Sequence, residues 1–182
     1  MPRRALPRII GTLVAGFLCA AALLSVHAKE FLTDQEILKI QDAADVEKRI
    51  KIYLEAAALR LKTVEDRLYG RESAPGDPLE FFSIEEMLDG YFRIVRSVMF
   101  NVDEAFQKPD VDRSKLSKAL KNLKDSTEKS NKELQILKKI AEEKKNEEAW
   151  NLIQKALEIT DGAHDGAEIG LARFPAKTKP KK

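Results

Sequence analysis

An all-α fold, in the form of an antiparallel up-down four-helix bundle, is predicted by three observations. Apolar residues recur at steps of three and four along four long segments, two capping boxes mark helix starts, and no segment alternates at period two long enough to demand a sheet. Eight Gly and seven Pro in 182 residues are few, and several Pro lie near the termini or in the 75–78 stretch, so helix interiors meet few breakers. With 43% apolar and 34% charged residues, the length suits one domain with its own core.

Residues 1–28 carry a different pattern and are expected to be a signal peptide. Arg3, Arg4 and Arg8 form a basic start, Ile9 to Val26 is uncharged and apolar, and Val26-His27-Ala28 supplies small residues flanking the penultimate position of a cleavage site. The competing reading is an uncleaved inner-membrane anchor, because the apolar run just reaches bilayer-spanning length; Gly11, Thr12, Gly16 and several Ala weaken it. Leu18 ahead of Cys19 does not fit a lipid-attachment box, and Ala5-Leu6-Pro7 is a poor continuation of a twin-arginine signal. The expected location is therefore exported, periplasmic or secreted. Cleavage removes Cys19, the only cysteine, so the mature chain has no disulfide, thiolate metal site or cysteine nucleophile. It also removes three Arg and leaves 29 basic against 30 acidic residues, a balance that gives no reason to expect nucleic acid.

The helical bundle domain is expected over 29–175. Thr33 and Glu36 form a capping box, with Leu32 set to staple onto Ile37, and start a short helix that ends near Gln41. Asp42 to Asp45 can break or bend the chain, so the first helix is allowed to split in two. Val46, Ile50, Tyr53, Ala57, Leu61, Val64 and Leu68 then describe a long amphipathic helix ending near Gly70. Residues 70–80 hold the strongest turn signals and read as a loop. Ser83 and Glu86 form the second capping box, with Phe82 set to staple onto Met87, and Phe81 and Phe82 read as core and helix-entry residues.

Ile84, Leu88, Tyr91, Val95, Val98, Val102 and Phe106 make the next stripe. Phe92, Ile94 and Met99 widen it into the most hydrophobic element, expected at the centre of the domain. A second protomer, giving a homodimer, is the other way to cover it. Pro109 stops this helix, and Asp112 or Ser114 starts one of about thirty residues with the heptad seam Leu116, Leu120, Leu123, Thr127, Ser130, Leu134, Leu137 and Ala141. Thr127, Ser130 and the adjacent Asn131 interrupt that seam. They either hydrogen-bond across the bundle and set its register, or line a partly wet pocket.

The last helix is expected from about Asn146 to Glu168, striped by Ala149, Ile153, Ala156, Thr160, Ala163 and Ala167, small enough for close approach to a neighbour. Gly162, Gly166 and Gly170 weaken its end by up to ~1 kcal/mol each relative to Ala. Residues 176–182 lack apolar anchors and are expected to be a disordered basic tail.

Charge is unevenly placed. Residues 113–145 carry 11 basic and 5 acidic groups, whereas residues 29–112 carry 12 and 19. A basic rod beside acidic helices favours one helix arrangement; the alternative is a face for an acidic partner or lipid headgroups. Chemistry-bearing motifs are scarce. A di-iron bundle needs Glu-x-x-His twice, and after cleavage His164 is the only histidine. Axial haem ligation would need His164 with Met87 or Met99, and nothing else supports it. Asp161, His164, Asp165 and Glu168, at steps of three and four, could hold a divalent cation weakly; the competing reading is a solvated face near a fraying helix end. No phosphate loop, nucleophile elbow or zinc motif occurs. No catalytic, cofactor-binding or metal residue is assigned, and no cofactor is expected.

The run from Leu32 to Leu68, with Thr33-Asp34-Gln35-Glu36, Arg49-Ile50-Lys51 and Tyr53-Leu54-Glu55, resembles exported helical proteins of unknown function from environmental bacteria. That resemblance covers about a third of the mature chain and implies location without activity. Leu32-Thr33-Asp34-Gln35 is also similar to the Leu-Thr-x-x-Gln motif of periplasmic helical chaperones, with Gln35 one residue too early. The expected function is a non-catalytic structural or protein-interaction module of the cell envelope with an envelope protein as partner. The alternative is a periplasmic small-ligand or chaperone-like binder using the apolar helix at 84–106 and the polar gap at Thr127 to Asn131.

Overall fold

The structure, a computed structural model, describes residues 31–174. The expected signal peptide at 1–28 and basic tail at 176–182 lie outside the described residues. Within them the protein is all-helical, with five helices and no strand.

Helix α1, Asp34–Gln41, opens on its capping box: Thr33 Oγ1 accepts from the Glu36 amide at 3.3 Å while Glu36 Oε2 accepts from the Thr33 amide at 2.8 Å. The chain does split at 42–45, and Asp45 starts α2, Val46–Leu68, by accepting from the Lys48 amide at 2.9 Å. Gly70 ends α2 with φ 77; the Gly70 amide donates to Arg67 O and the Arg71 amide to Asp66 O, which satisfies carbonyls of the last turn. The second capping box, Ser83 with Glu86, opens α3, Ile84–Gln107. Pro109 forces Lys108 into an extended conformation and ends α3. Asp112 caps α4, Arg113–Glu143, and Asn146 caps α5, Glu147–Ala172. Between them Lys145 takes the left-handed φ of 55 and closes a Schellman pattern with Asn146.

The four long helices pack as two sequential hairpins, α2 on α3 and α4 on α5, and the hairpins meet through α2 on α4 and α3 on α5. The α3–α4 pair barely touches and α2 does not reach α5, so both are diagonals. Lys115 Nζ lies 3.0 Å from Asp45 Oδ2, which brings the starts of α2 and α4 to the same end. These two neighbours therefore run in parallel. Every position of the α4 seam from Leu116 to Ala141 is buried, as is the α5 stripe from Ala149 to Ala167. Phe82 packs against the core, whereas Phe81 is 80% exposed and is not the core residue its neighbourhood suggested. Phe82 occupies the staple position, and its neighbour projects elsewhere.

The last helix runs past Glu168 to Ala172, beyond the expected end. Packing overrides propensity here, because Gly170 is buried against Leu120 of α4 and Phe106 of α3. A Cβ at Gly170 would come 2.9 Å from Leu120 Cδ2 and 3.4 Å from Phe106 Cζ, and Phe106 in turn stacks on Phe174 at 5.8 Å. Gly162 and Gly166 are exposed with nothing within 4 Å of a Cβ, so they give up helix propensity with no packing return. The three glycines should thus separate in urea unfolding. Gly162→Ala and Gly166→Ala should each stabilise by about 0.5–1 kcal/mol, while Gly170→Ala should lose at least that gain to overpacking of about 1–3 kcal/mol.

Candidate functional site

Where α2 and α4 lie side by side, short side chains face each other: Ala57 and Ala58 on α2, Ser126 and Ser130 on α4. Small residues on both sides leave a groove. It is about 490 Å³ at the Leu54–Ala58 level, and a second depression of about 400 Å³ shares Ala58, Lys129 and Glu133 with it and extends to Ile136. Leu59 is 43% and Ile136 53% exposed, giving the second part an apolar lip. Charges of both signs rim the groove, among them Lys51, Glu55, Lys62 and Glu65 from α2 with Asp125, Lys129 and Glu133 from α4.

The interrupted seam forms part of this groove's floor. Thr127 and Ser130 are buried yet line it, together with Tyr91 from α3. The Tyr91 hydroxyl lies 2.7 Å from Thr160 Oγ1, and Thr160 donates its own proton to Ala156 O at 2.6 Å, so Tyr91 is the donor of the pair. Burial raises the Tyr91 phenol above its usual pKa, with the Thr160 and Ser130 hydrogen bonds opposing. A neutral, hydrogen-bonded phenol is a structural group and not a base. Thr127 likewise returns its proton to its own helix, at Leu123 O (2.8 Å) or Lys124 O (2.9 Å), and its oxygen is left to accept from His164 Nδ1 at 3.2 Å.

His164 belongs to the acidic cluster, and three of its four members are used in helix pairing. Asn131 donates to Asp161, His164 meets Thr127, and Lys124 Nζ lies 2.6 Å from Glu168 Oε1. These contacts, a turn apart, form an antiparallel ladder between α4 and α5. Hydrogen bonding and charge from Lys124 hold the Glu168 carboxyl below its ordinary pKa. Asp165 is exposed. Among the described residues no group of three or more His, Cys, Asp or Glu could hold a metal ion. Met87 is fully buried and Met99 half-buried on α3, while His164 faces α4, so the three do not frame a haem. The basic character of α4 is used in the same way: Lys115 pairs with Asp45, Lys118 approaches Glu47 at 4.0 Å, and Lys138 sits 5.1 Å over the Trp150 ring.

One cluster is not visible in the sequence. Arg60 is 1% exposed, and its guanidinium grips Glu36 with two parallel bonds, Nη1 to Oε1 at 2.9 Å and Nη2 to Oε2 at 2.8 Å. Nη1 also donates to Ala56 O at 2.8 Å and Nη2 to Phe31 O at 2.5 Å. Room for the side chain comes from Gly90 of α3, where a Cβ would stand 3.1 Å from Nε. The readable signals are a charged residue three after Ala57 and four before Val64 of the apolar stripe, and a glycine inside the most hydrophobic helix. One heptad on, Arg67 Nη2 donates to Leu79 O at 2.7 Å and Glu80 O at 2.8 Å, so two arginines of one α2 face clamp the chain's entry into α1 and the α2–α3 connection.

No family model matches the chain, no characterised protein matches its sequence, and no solved structure matches its fold.

Burial alone would raise the Glu36 carboxyl, but the hydrogen bond from Arg60, the Thr33 amide and the Arg60 charge outweigh it and hold the pKa below its ordinary value. A depressed carboxylate stabilises the fold above its unfolded pKa of about 4.3 and loses that contribution as pH falls through its folded value. Wild type should therefore exceed Glu36→Gln in urea midpoint at pH 6 to 7, with the gap closing below about pH 4. A gap independent of pH would show that the Glu36 charge contributes nothing.

Proposed function

We propose that the chain is an exported, non-catalytic interaction module of the cell envelope: an up-down four-helix bundle of two hairpins, carried out of the cytoplasm by residues 1–28 and working through the α2–α4 groove. The carrying observation is the groove itself, an open channel with apolar lips at Leu59 and Ile136 between mixed-charge rims. Around it, the residues able to do chemistry are committed to holding helices together. His164 and its carboxylates pair α4 with α5, Tyr91 pairs α3 with α5, and Arg60 pairs α1 with α2. A partner's amphipathic helix is the shape that such a channel between parallel helices accommodates, its apolar stripe on Ala57, Ala58 and Leu59 and its polar edges against the charged rims.

A second reading, a small-ligand binder, is favoured by the hydroxyl-bearing floor at Thr127 and Ser130 beneath a space of about 490 Å³. The two differ in which half of the groove is used. Helix docking needs the Leu59–Ile136 half; a small ligand needs only the half above Ser130.

Two measurements test the reading. Mass spectrometry of the exported chain should find Lys29 as the first residue, and a chain retaining 1–28 would replace export by anchoring. A photo-crosslinking residue at Ala58, tested in the native envelope, should give a discrete adduct that the same residue at Arg96 on the exposed face of α3 does not. Equal labelling at both positions, or none at either, would discard the groove as the working surface. Leu59→Glu with Ile136→Glu should abolish the Ala58 adduct while leaving the thermal midpoint within about 2 °C, as expected for exposed positions.

A further inference from the structure

We propose that Arg60, with the space held open by Gly90, is a carboxylate-binding cleft between α2 and α3 whose resident ligand is Glu36, and that residues 31–41 are a strap exchangeable for a carboxylate borne on another chain segment. The α2–α4 groove plays no part in this. Counted along the helix, Ala56, Arg60 and Thr63 lie on the opposite face of α2 from Leu54, Ala58 and Glu65.

The cleft has the chemistry of a receptor. A guanidinium 1% exposed presents two parallel donors to one carboxylate, its remaining contacts being to backbone carbonyls at Ala56 and Phe31. Any bidentate carboxylate satisfies that fork equally well. A shape-specific apolar plug would not be exchangeable in this way. Gly90 makes room for the arginine itself, since a methyl group there would stand 3.1 Å from Arg60 Nε and 3.3 Å from its Cδ.

The strap, for its part, is lightly held. Helix α1 has no buried residue and packs on no helix other than α2. Its apolar hold is light: Phe31 and Leu32 ahead of it pack partly on the core, Ile37 and Ile40 within it are only half-buried, and the non-helical residues 42–45, with Ala43 buried, separate it from α2. Glu36 does two jobs in one position, closing the Thr33 capping box with the same Oε2 that meets Arg60 Nη2. Losing the carboxylate contact therefore also loosens the start of α1. Strap and ligand leave together.

Chemical rescue of the full-length chain tests this. Glu36→Ala vacates the carboxylate position, and about 0.5 M sodium acetate should raise its thermal midpoint by roughly 3 °C or more over sodium chloride at equal ionic strength. Wild type and Glu36→Ala with Arg60→Met should show no such difference. A peptide of residues 31–41 added to Glu36→Ala identifies the source. Rescue at a concentration at least about tenfold below that of acetate supports a segment-borne carboxylate; rescue by acetate alone, or none by either, overturns the proposal.

Hydrogen exchange tests exchangeability even if Glu36→Ala folds poorly. In wild type the amides of 37–41 should exchange at least about tenfold faster than those of 54–64, and Glu36→Gln should speed the former alone. Equal protection of both stretches would make α1 a fixed part of the core and overturn the strap.

Discussion

A buried guanidinium is the constraint around which the first half of this structure is arranged. Arg60 cannot be left in a low-dielectric cleft without acceptors, since an uncompensated buried charge costs about 3–5 kcal/mol. Its partners come from three places: Glu36 on α1, the carbonyl of Phe31 ahead of it, and the carbonyl of Ala56 one turn back on α2. Each fixes something. Glu36 docks α1, Phe31 fixes how the chain enters it, and the size of the side chain requires glycine at position 90 of α3. The capping box of α1 is thus both a helix start and half of an ion pair. Arg67 repeats the device one heptad on, tying the 70–82 connection to α2 through two carbonyls.

The second hairpin is secured differently. In place of one buried charge it has a ladder of exposed and half-buried polar pairs, Asn131 with Asp161, Thr127 with His164 and Lys124 with Glu168. Surface pairs of this kind contribute only tenths of a kcal/mol each, but their spacing is met in one register of α4 against α5. Leucine and alanine positions beneath the ladder supply most of the stabilisation, and the polar pairs choose among arrangements that leucine alone would leave nearly equal. Tyr91 and Thr160 do the same between the hairpins, through a buried hydroxyl pair on α3 and α5. Nearly every buried side-chain polar atom among the described residues is partnered; the exception, Arg49 Nε, belongs to an arginine whose charge acts on Glu104.

What could be read from the sequence follows the range of the interactions. Helix starts at Thr33 and Ser83, the stop at Gly70, the break at 42–45 and the α4 seam are set by contacts within four residues or by periodicity, and each stands where the pattern put it. The length of α5 was not legible, because it depends on Gly170 meeting Leu120 from fifty residues earlier in the chain. Arg60 with Glu36 and Tyr91 with Thr160 were hidden for the same reason: each joins residues on different helices, 24 and 69 positions apart. The acidic cluster on α5 was visible as a cluster, but its role is decided by what α4 places opposite. Nor could periodicity show that α2 has α4 as a parallel neighbour while α3 and α4, adjacent in sequence, sit on a diagonal.

That diagonal determines where an open groove can lie. Hairpins that pair in parallel set α2 and α4 side by side, so that small residues on one meet small residues on the other at the same level. Ala57 and Ala58 against Ser126 and Ser130 cannot fill the space between two helices, and further on Leu61 and Leu137 line the second depression while Leu59 and Ile136 stand exposed at its lip. On the far side of its core stripe, the same helix holds Arg60 beneath α1. Helix α2 therefore carries three distinct faces: one committed to the core, one covered by a short strap through a polar contact, and one left open. Among the described residues nearly all the polar groups inside the protein are consumed by pairing, and the recognition proposed for this chain is assigned to the two other faces, the one covered by α1 and the one left open.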